Sequence, residues 1–219
     1  MKAKTKAKSK FLALAASFFG IFGIANAGFF VGAGGEVSGD NQNAVDISTS
    51  GIGLGLILGN EFFANDYLGA RASLNFGYEG FKSKNKAQKG VFKKFDIGKP
   101  SGNGFNAGIA ADLLVNLYND KTNSIGIFGG AGVNYSRFTL KHQTLTEQQV
   151  KNLRISSVNY DARVGLSFLT NKHRIDLFVS SPLYEDKRTL DLDSKTITRE
   201  RGTQDYETEK IALNYYYLF

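Results

Sequence analysis

The strongest constraint on this chain is a hydrophobic rhythm of period two that recurs in eight separate stretches. They lie at 28–39, 50–59, 67–79, 104–117, 124–138, 155–168, 173–184 and 205–219. In 67–79, Leu68, Ala70, Ala72, Leu74, Phe76 and Tyr78 alternate with Gly69, Arg71, Ser73, Asn75, Gly77 and Glu79. In 155–168, Val158, Tyr160, Ala162, Val164, Leu166 and Phe168 alternate with Ser157, Asn159, Asp161, Arg163, Gly165 and Ser167. Successive side chains of a strand point to opposite faces. Each stretch therefore predicts a strand with one apolar face and one face built mostly of Gly, Ser, Asn and Ala. A water-soluble sandwich also alternates, but its outer face would carry many Lys and Glu. Small residues suit the crowded bore of a narrow barrel, and apolar residues facing outward suit lipid. The predicted fold class is all-β, an eight-stranded antiparallel up-and-down transmembrane barrel.

The connections follow the same plan. Residues 60–66, 118–122 and 169–172 are short links, whereas 40–49, 80–103, 139–154 and 185–204 are mostly longer. Alternating short and long connections are those of outer-membrane barrels, with the short turns on the periplasmic side. An even strand count puts both chain ends on that side.

The first 27 residues read as a secretory leader. Lys2, Lys4, Lys6, Lys8 and Lys10 form a basic head, an apolar stretch runs from Phe11 to Ile24, and Ala25-Asn26-Ala27 closes it. The apolar run is short of the ~20 residues a spanning helix needs. Cleavage is expected after Ala27, leaving 28–219 as one barrel domain. The leader also accounts for the charge. The chain is +7 overall, but without those five lysines 22 basic residues face 20 acidic ones, so nucleic acid is not an expected partner. Cysteine is absent, which excludes disulfides, thiolate metal sites and thiol nucleophiles. No later segment is apolar enough to span a bilayer as a helix. Only helices and closed barrels satisfy the backbone inside lipid, so a membrane location implies a barrel.

The last strand ends on Phe219, with Tyr217, Tyr215, Leu213 and Ile211 before it at every second position. This resembles the carboxy-terminal signal by which the outer-membrane assembly machinery recognises barrels. In organisation the whole mature length resembles small eight-stranded outer-membrane barrels of the OmpA and OmpX type. Three stretches are more specifically similar to the Helicobacter outer membrane protein family: Gly28-Phe29-Phe30-Val31-Gly32-Ala33-Gly34, then Asn171 through Leu177 running on to Ser181-Pro182-Leu183, and Asn214-Tyr215-Tyr216-Tyr217-Leu218-Phe219. Members of that family include adhesins and porins. The large extracellular domain usual in the adhesins is not in this chain, so the resemblance does not imply adhesion by such a domain.

Charges on the small-residue face are expected to line the lumen: Arg71, Glu79, Asp112, Asp161, Arg163, Asp176 and Lys210. Arg71 and Asp112 fall at similar depths on adjacent strands, as do Arg163 and Asp176. An eight-stranded bore is just filled by side chains, so these charges are expected to form a plug of ion pairs. The alternative is a narrow pore lined by paired charges. The connection 80–103 is basic, with Lys82, Lys84, Lys86, Lys89, Lys93, Lys94 and Lys99 against Asp96. On the outer surface it would attract phosphate-bearing lipopolysaccharide.

Catalysis has little to stand on. The two histidines, His142 in a long connection and His173 by a short one, are expected on opposite sides of the membrane. They assemble neither a triad nor a metal cluster, and no cofactor is implied. The expected role is non-enzymatic, structural or surface-interacting through the extracellular loops. A channel for ions or small solutes is the second reading, and a lipid-modifying enzyme using His142 the third. The expected partners are outer-membrane lipid, lipopolysaccharide and the barrel-assembly machinery.

Overall fold

The structure, a computed structural model, describes residues 27–40, 49–83, 101–120, 122–141, 153–192, 195–200 and 208–219. The expected leader up to Asn26, the lysines from Lys84 to Lys99, and His142 lie outside the described residues. Nine strands follow in order: β1 (Ala27–Asp40), β2 (Thr49–Phe63), β3 (Leu68–Ser83), β4 (Ser101–Asn119), β5 (Asn123–Lys141), β6 (Leu153–Thr170), β7 (His173–Leu192), β8 (Lys195–Glu200) and β9 (Thr208–Leu218). Each of β1 to β7 pairs antiparallel with the next. Strand β9 pairs with both β7 and β1, which closes the sheet into an eight-stranded barrel.

Strand β8 stands apart from the barrel wall. The connection expected at 185–204 is partly strand: β7 continues to Leu192, and β8 folds back to pair with its Lys187–Leu192 segment. The alternation of apolar residues that marks a lipid-facing strand stops near Leu183. Beyond it the backbone ladder continues in polar sequence, with two register shifts between β6 and β7 near Asn159 and Asp161.

Closure fixes the barrel's dimensions. From Gly28, the chain of directly paired residues runs through Glu61, Arg71, Asp112, Gly130, Arg163, Ser180 and Lys210. It returns to β1 at Ser38, ten residues beyond its start. With a rise of ~3.3 Å per residue and ~4.8 Å between strands, that stagger tilts eight strands by about 41°. The outward apolar runs Leu68–Tyr78, Ile125–Tyr135 and Val158–Phe168 each span ten residue steps. At that tilt each covers about 25 Å of height, the thickness of an outer-membrane apolar band.

The faces divide accordingly. Ile52, Leu54, Leu56, Phe76, Leu113, Val164 and Leu177 point outward, and Leu54 is 72% exposed. The inner face holds the buried side chains, among them Arg71, Asp112, Phe128, Arg174, Asp176 and Tyr216. This barrel therefore has a charged and aromatic interior and an apolar exterior.

Asn and Asp shape the short turns. The Asn65 carboxamide oxygen accepts from the backbone N–H of Tyr67 and Leu68 at 2.9 and 2.8 Å. The Asp120 carboxylate accepts from the N–H of Thr122 and Asn123, and the Asn123 bonds hold its carboxyl below the usual range. Asn171 takes a left-handed backbone, φ 54°, in the tight turn from β6 to β7.

Candidate functional site in the barrel lumen

Among the described residues, the buried ionic side chains are concentrated in the lumen. Its periplasmic half contains a cluster of three guanidinium groups and three carboxylates. Asp112 is the hub. Its carboxylate accepts from Arg71 Nε at 2.8 Å and from Arg163 Nε and Nη2 at 2.7 and 2.8 Å. Arg71 then reaches across the bore to Asp176, with Nη1 2.5 Å from Oδ2. Arg174 donates to Glu61 at 3.0 Å and to the Ser167 hydroxyl at 2.8 Å. Arg163 also donates to Ser73 at 3.3 Å.

Aromatic rings close the space around the cations. The Arg71 guanidinium lies 4.9 Å from the Phe128 ring and 5.1 Å from the Tyr216 ring. Arg163 lies over Phe178 and Arg174 over Phe63, at 5.7 and 6.0 Å. Cations are attracted to ring faces at such distances, more strongly when desolvated. Tyr216 is fixed in turn by the edge of Phe30 and by a bond from Asn214 Nδ2 at 2.8 Å. Asp176 is 0% exposed and Arg174 1%, so this layer fills the bore. Among the described residues, four buried side-chain atoms lack a protein partner: Glu61 Oε2, Asp176 Oδ1, Arg71 Nη2 and Arg174 Nε. Two accept and two donate, a set that bridging water can satisfy.

A second cluster lies toward the extracellular end. Lys210 donates to Glu36 at 2.8 Å and to Glu79 at 3.3 Å, and Ser38 donates to Glu79 at 2.6 Å. Asp161 accepts from Asn134 and Ser180 at 2.5 and 3.3 Å.

The structure brings Arg71, Asp112, Arg163 and Asp176 into one network and puts Glu79 and Lys210 in the other. Arg163 and Asp176, read from the sequence as neighbours, do not form a pair. Arg163 is opposite Ser180 in register and Asp176 opposite Ser167, so the ladder holds them apart and Arg163 takes Asp112 instead. Sequence reading also missed Glu36, Glu61 and Arg174. Glu61 and Arg174 extend the inward alternation of β2 and β7 by one step at a strand end. Continuing the parity past Gly59, and backward from Asp176, would have found them.

Glycine makes the hub possible. Gly130 lies between Asp112 and Arg163 on the same ladder row, and a Cβ there would run into Asp112 Oδ1 and the Ala111 carbonyl. Its neighbour Gly129 faces lipid, where the nearest atom to an added Cβ is 3.9 Å away. Gly130→Val is expected to cost about 1–3 kcal/mol by overpacking, and Gly129→Ala close to nothing. Urea unfolding followed by gel mobility would measure both, and equal effects would count against the hub.

The other sites fall on the outside. Ile211, Leu213, Tyr215, Tyr217 and Phe219 all face outward on β9. The Phe219 N–H donates to the Phe29 carbonyl at 2.9 Å, tying the end of the chain to β1. His173 is exposed beside Tyr215, with Nδ1 2.6 Å from the hydroxyl. Lys82 lies at the extracellular end of β3 and is exposed. Among the described residues no three His, Asp or Glu side chains are grouped to hold a metal ion.

The sequence model of the Helicobacter outer membrane protein family matches residues 55–219. The chain belongs to this family. No curated protein sequence matches it. Among solved structures, the barrel is similar to a major outer membrane protein from Thermus thermophilus, with 18% identity and a TM-score of 0.55. It is also similar to Neisserial surface protein A, with 12% identity and a TM-score of 0.50. Each likeness covers 89% of this chain and 100% of the other. At such identities the likeness is one of fold. Family and fold place the protein in the bacterial outer membrane.

Proposed function

We propose that this member of the family is a closed, non-enzymatic barrel that holds surface elements in place at the cell exterior. The observation that carries this reading is the buried layer around Asp112. Its six charges bond one another, and rings fill the space between them. A permeating ion would have to displace that layer. Breaking one partner out of a buried ion pair costs about 3–5 kcal/mol. The β7–β8 hairpin supports a surface role, since it carries backbone past the ladder with β9 toward the exterior. The same reading takes residues 1–27 as a leader removed during export, and the closing strand as the mark recognised by the assembly machinery. The basic connection 80–103 would then meet lipopolysaccharide.

The narrow-channel alternative predicts conductance without mutation. The purified full-length protein in a planar bilayer is expected to show no steady single-channel steps. Regular steps from the unmutated protein would overturn the closed reading and favour the channel.

A further inference from the structure

Above the apolar band, the outer face of β3, β5 and β6 turns basic. On β5 the outward run ends at Tyr135 and Arg137 follows on the same face. On β6 it ends at Val158, with Ser156 and then Arg154 beyond. On β3 it ends at Tyr78, with Gly80 and then Lys82 beyond. At the barrel's tilt these cations lie about 5–10 Å above the top of the band. Register makes Arg137 and Arg154 diagonal neighbours and puts Lys82 two strands from Arg137 and four residues beyond its row. Arg154 is opposite Thr139, the next outward position after Arg137, and Lys82 is opposite Ser101, which is opposite Lys141. Between them the outward positions are neutral: Ser101, Asn103, Phe105, Thr139 and Ser156. The acid nearest in register is Asp191, opposite Arg154.

The contrast with the lumen gives this patch its meaning. Inside, Arg71, Arg163, Arg174 and Lys210 all have carboxylate partners. Among the described side chains, Lys82 and Arg137 have none, Arg154 stands opposite Asp191 in register, and Lys82 and Arg154 are exposed. The barrel that pairs the cations of its bore also sets Lys82, Arg137 and Arg154 within about 5 Å of one another in height on one side of the wall. That height is the headgroup layer of the outer leaflet. A cation there is attracted to anionic lipid by about 1 kcal/mol, and guanidinium groups bind phosphate in a two-pronged geometry.

We propose that Lys82, Arg137 and Arg154 form a docking surface for the phosphate groups of the outer-leaflet glycolipid, lipopolysaccharide. Its acyl chains would lie along the apolar face below, beside Phe105, Tyr135 and Tyr160. The proposal rests on the outward orientation of the long connections and not on whether the bore conducts, so the bilayer conductance measurement is indifferent to it.

The test is retention of labelled lipid A by the folded full-length protein in a zwitterionic detergent. The unmutated protein is expected to retain phosphorylated lipid A and to lose it as ionic strength rises. It should retain the dephosphorylated form poorly. The Lys82→Gln/Arg137→Gln/Arg154→Gln variant is expected to retain on the order of a hundredfold less phosphorylated lipid A. Its heat-modifiable gel mobility should be unchanged. Lys172→Gln, at the periplasmic end, should behave like the unmutated protein. Equal retention of the phosphorylated and dephosphorylated forms, or full retention by the triple variant, would overturn the proposal. A loss with Lys172→Gln alone would also overturn it. Should the triple variant not fold, Arg137→Gln alone decides the question: severalfold lower retention of phosphorylated lipid A is expected, and full retention overturns the proposal.

Discussion

Asp112→Ala is expected to destabilise the folded barrel by about 3–5 kcal/mol, the cost of leaving a buried charge without its partner. The two arginines at this hub are not equally exposed to the loss. Arg71 keeps Asp176, whereas Arg163 keeps only the Ser73 hydroxyl and the face of Phe178. The penalty therefore falls mainly on Arg163, which is 9% exposed and has little access to water. That asymmetry yields a second expectation. Adding Arg163→Met to Asp112→Ala removes the stranded charge and should recover part of the loss, because an apolar side chain of similar length often replaces a buried ion pair with little penalty. Both variants can be unfolded in urea in lipid vesicles and followed by gel mobility. An Asp112→Ala barrel as stable as the original would sink the hub. So would a double variant whose loss equals the sum of the two singles, since residues in one network should not add.

The sequence made the wall legible because alternation is a local property. Arg163 and Val164 are adjacent in the chain, yet one is buried in the lumen and the other is 58% exposed to the outside. Period two alone assigns both. The pairing of Arg71 with Asp112 is nearly as local, since the two are directly opposite on neighbouring strands. The contact from Arg71 to Asp176 is of another kind. It joins β3 to β7 across the bore, and strand patterns say which face a residue occupies but not what it meets on the far wall. That distance depends on the stagger, which is set by all eight pairings together. Glu61 and Arg174 were missed for a simpler reason: strand ends are poorly marked by hydrophobicity, and Glu61 lies near the end of β2 and Arg174 at the start of β7. The β7–β8 hairpin was hidden because its residues mix signs like a solvated loop while its backbone still pairs.

Val164→Arg is expected to cost about 2–4 kcal/mol when the barrel is folded into lipid, the penalty for a basic side chain near the midplane of the bilayer. Val164 lies four residues above Phe168 and six below Val158 on the outward face of β6, near the middle of the apolar band. An arginine one position earlier is native. Arg163 is stable because it faces the bore and bonds Asp112 through two nitrogens, an option the outer face does not provide. Moving the new charge by one residue thus separates the two environments with the same chemistry and the same strand. Depth supplies the second comparison. Ser156 lies on the same face, eight residues higher and beyond the band, where the expected cost of Ser156→Arg falls to about 0–1 kcal/mol. The measurement is the urea midpoint for each variant folded into phospholipid vesicles. A clear gradient from Val164 to Ser156 is what a hydrocarbon-facing wall requires. Equal midpoints for the two would mean that this face meets something other than lipid, and the outward assignment of every other strand, which rests on the same parity, would fall with it.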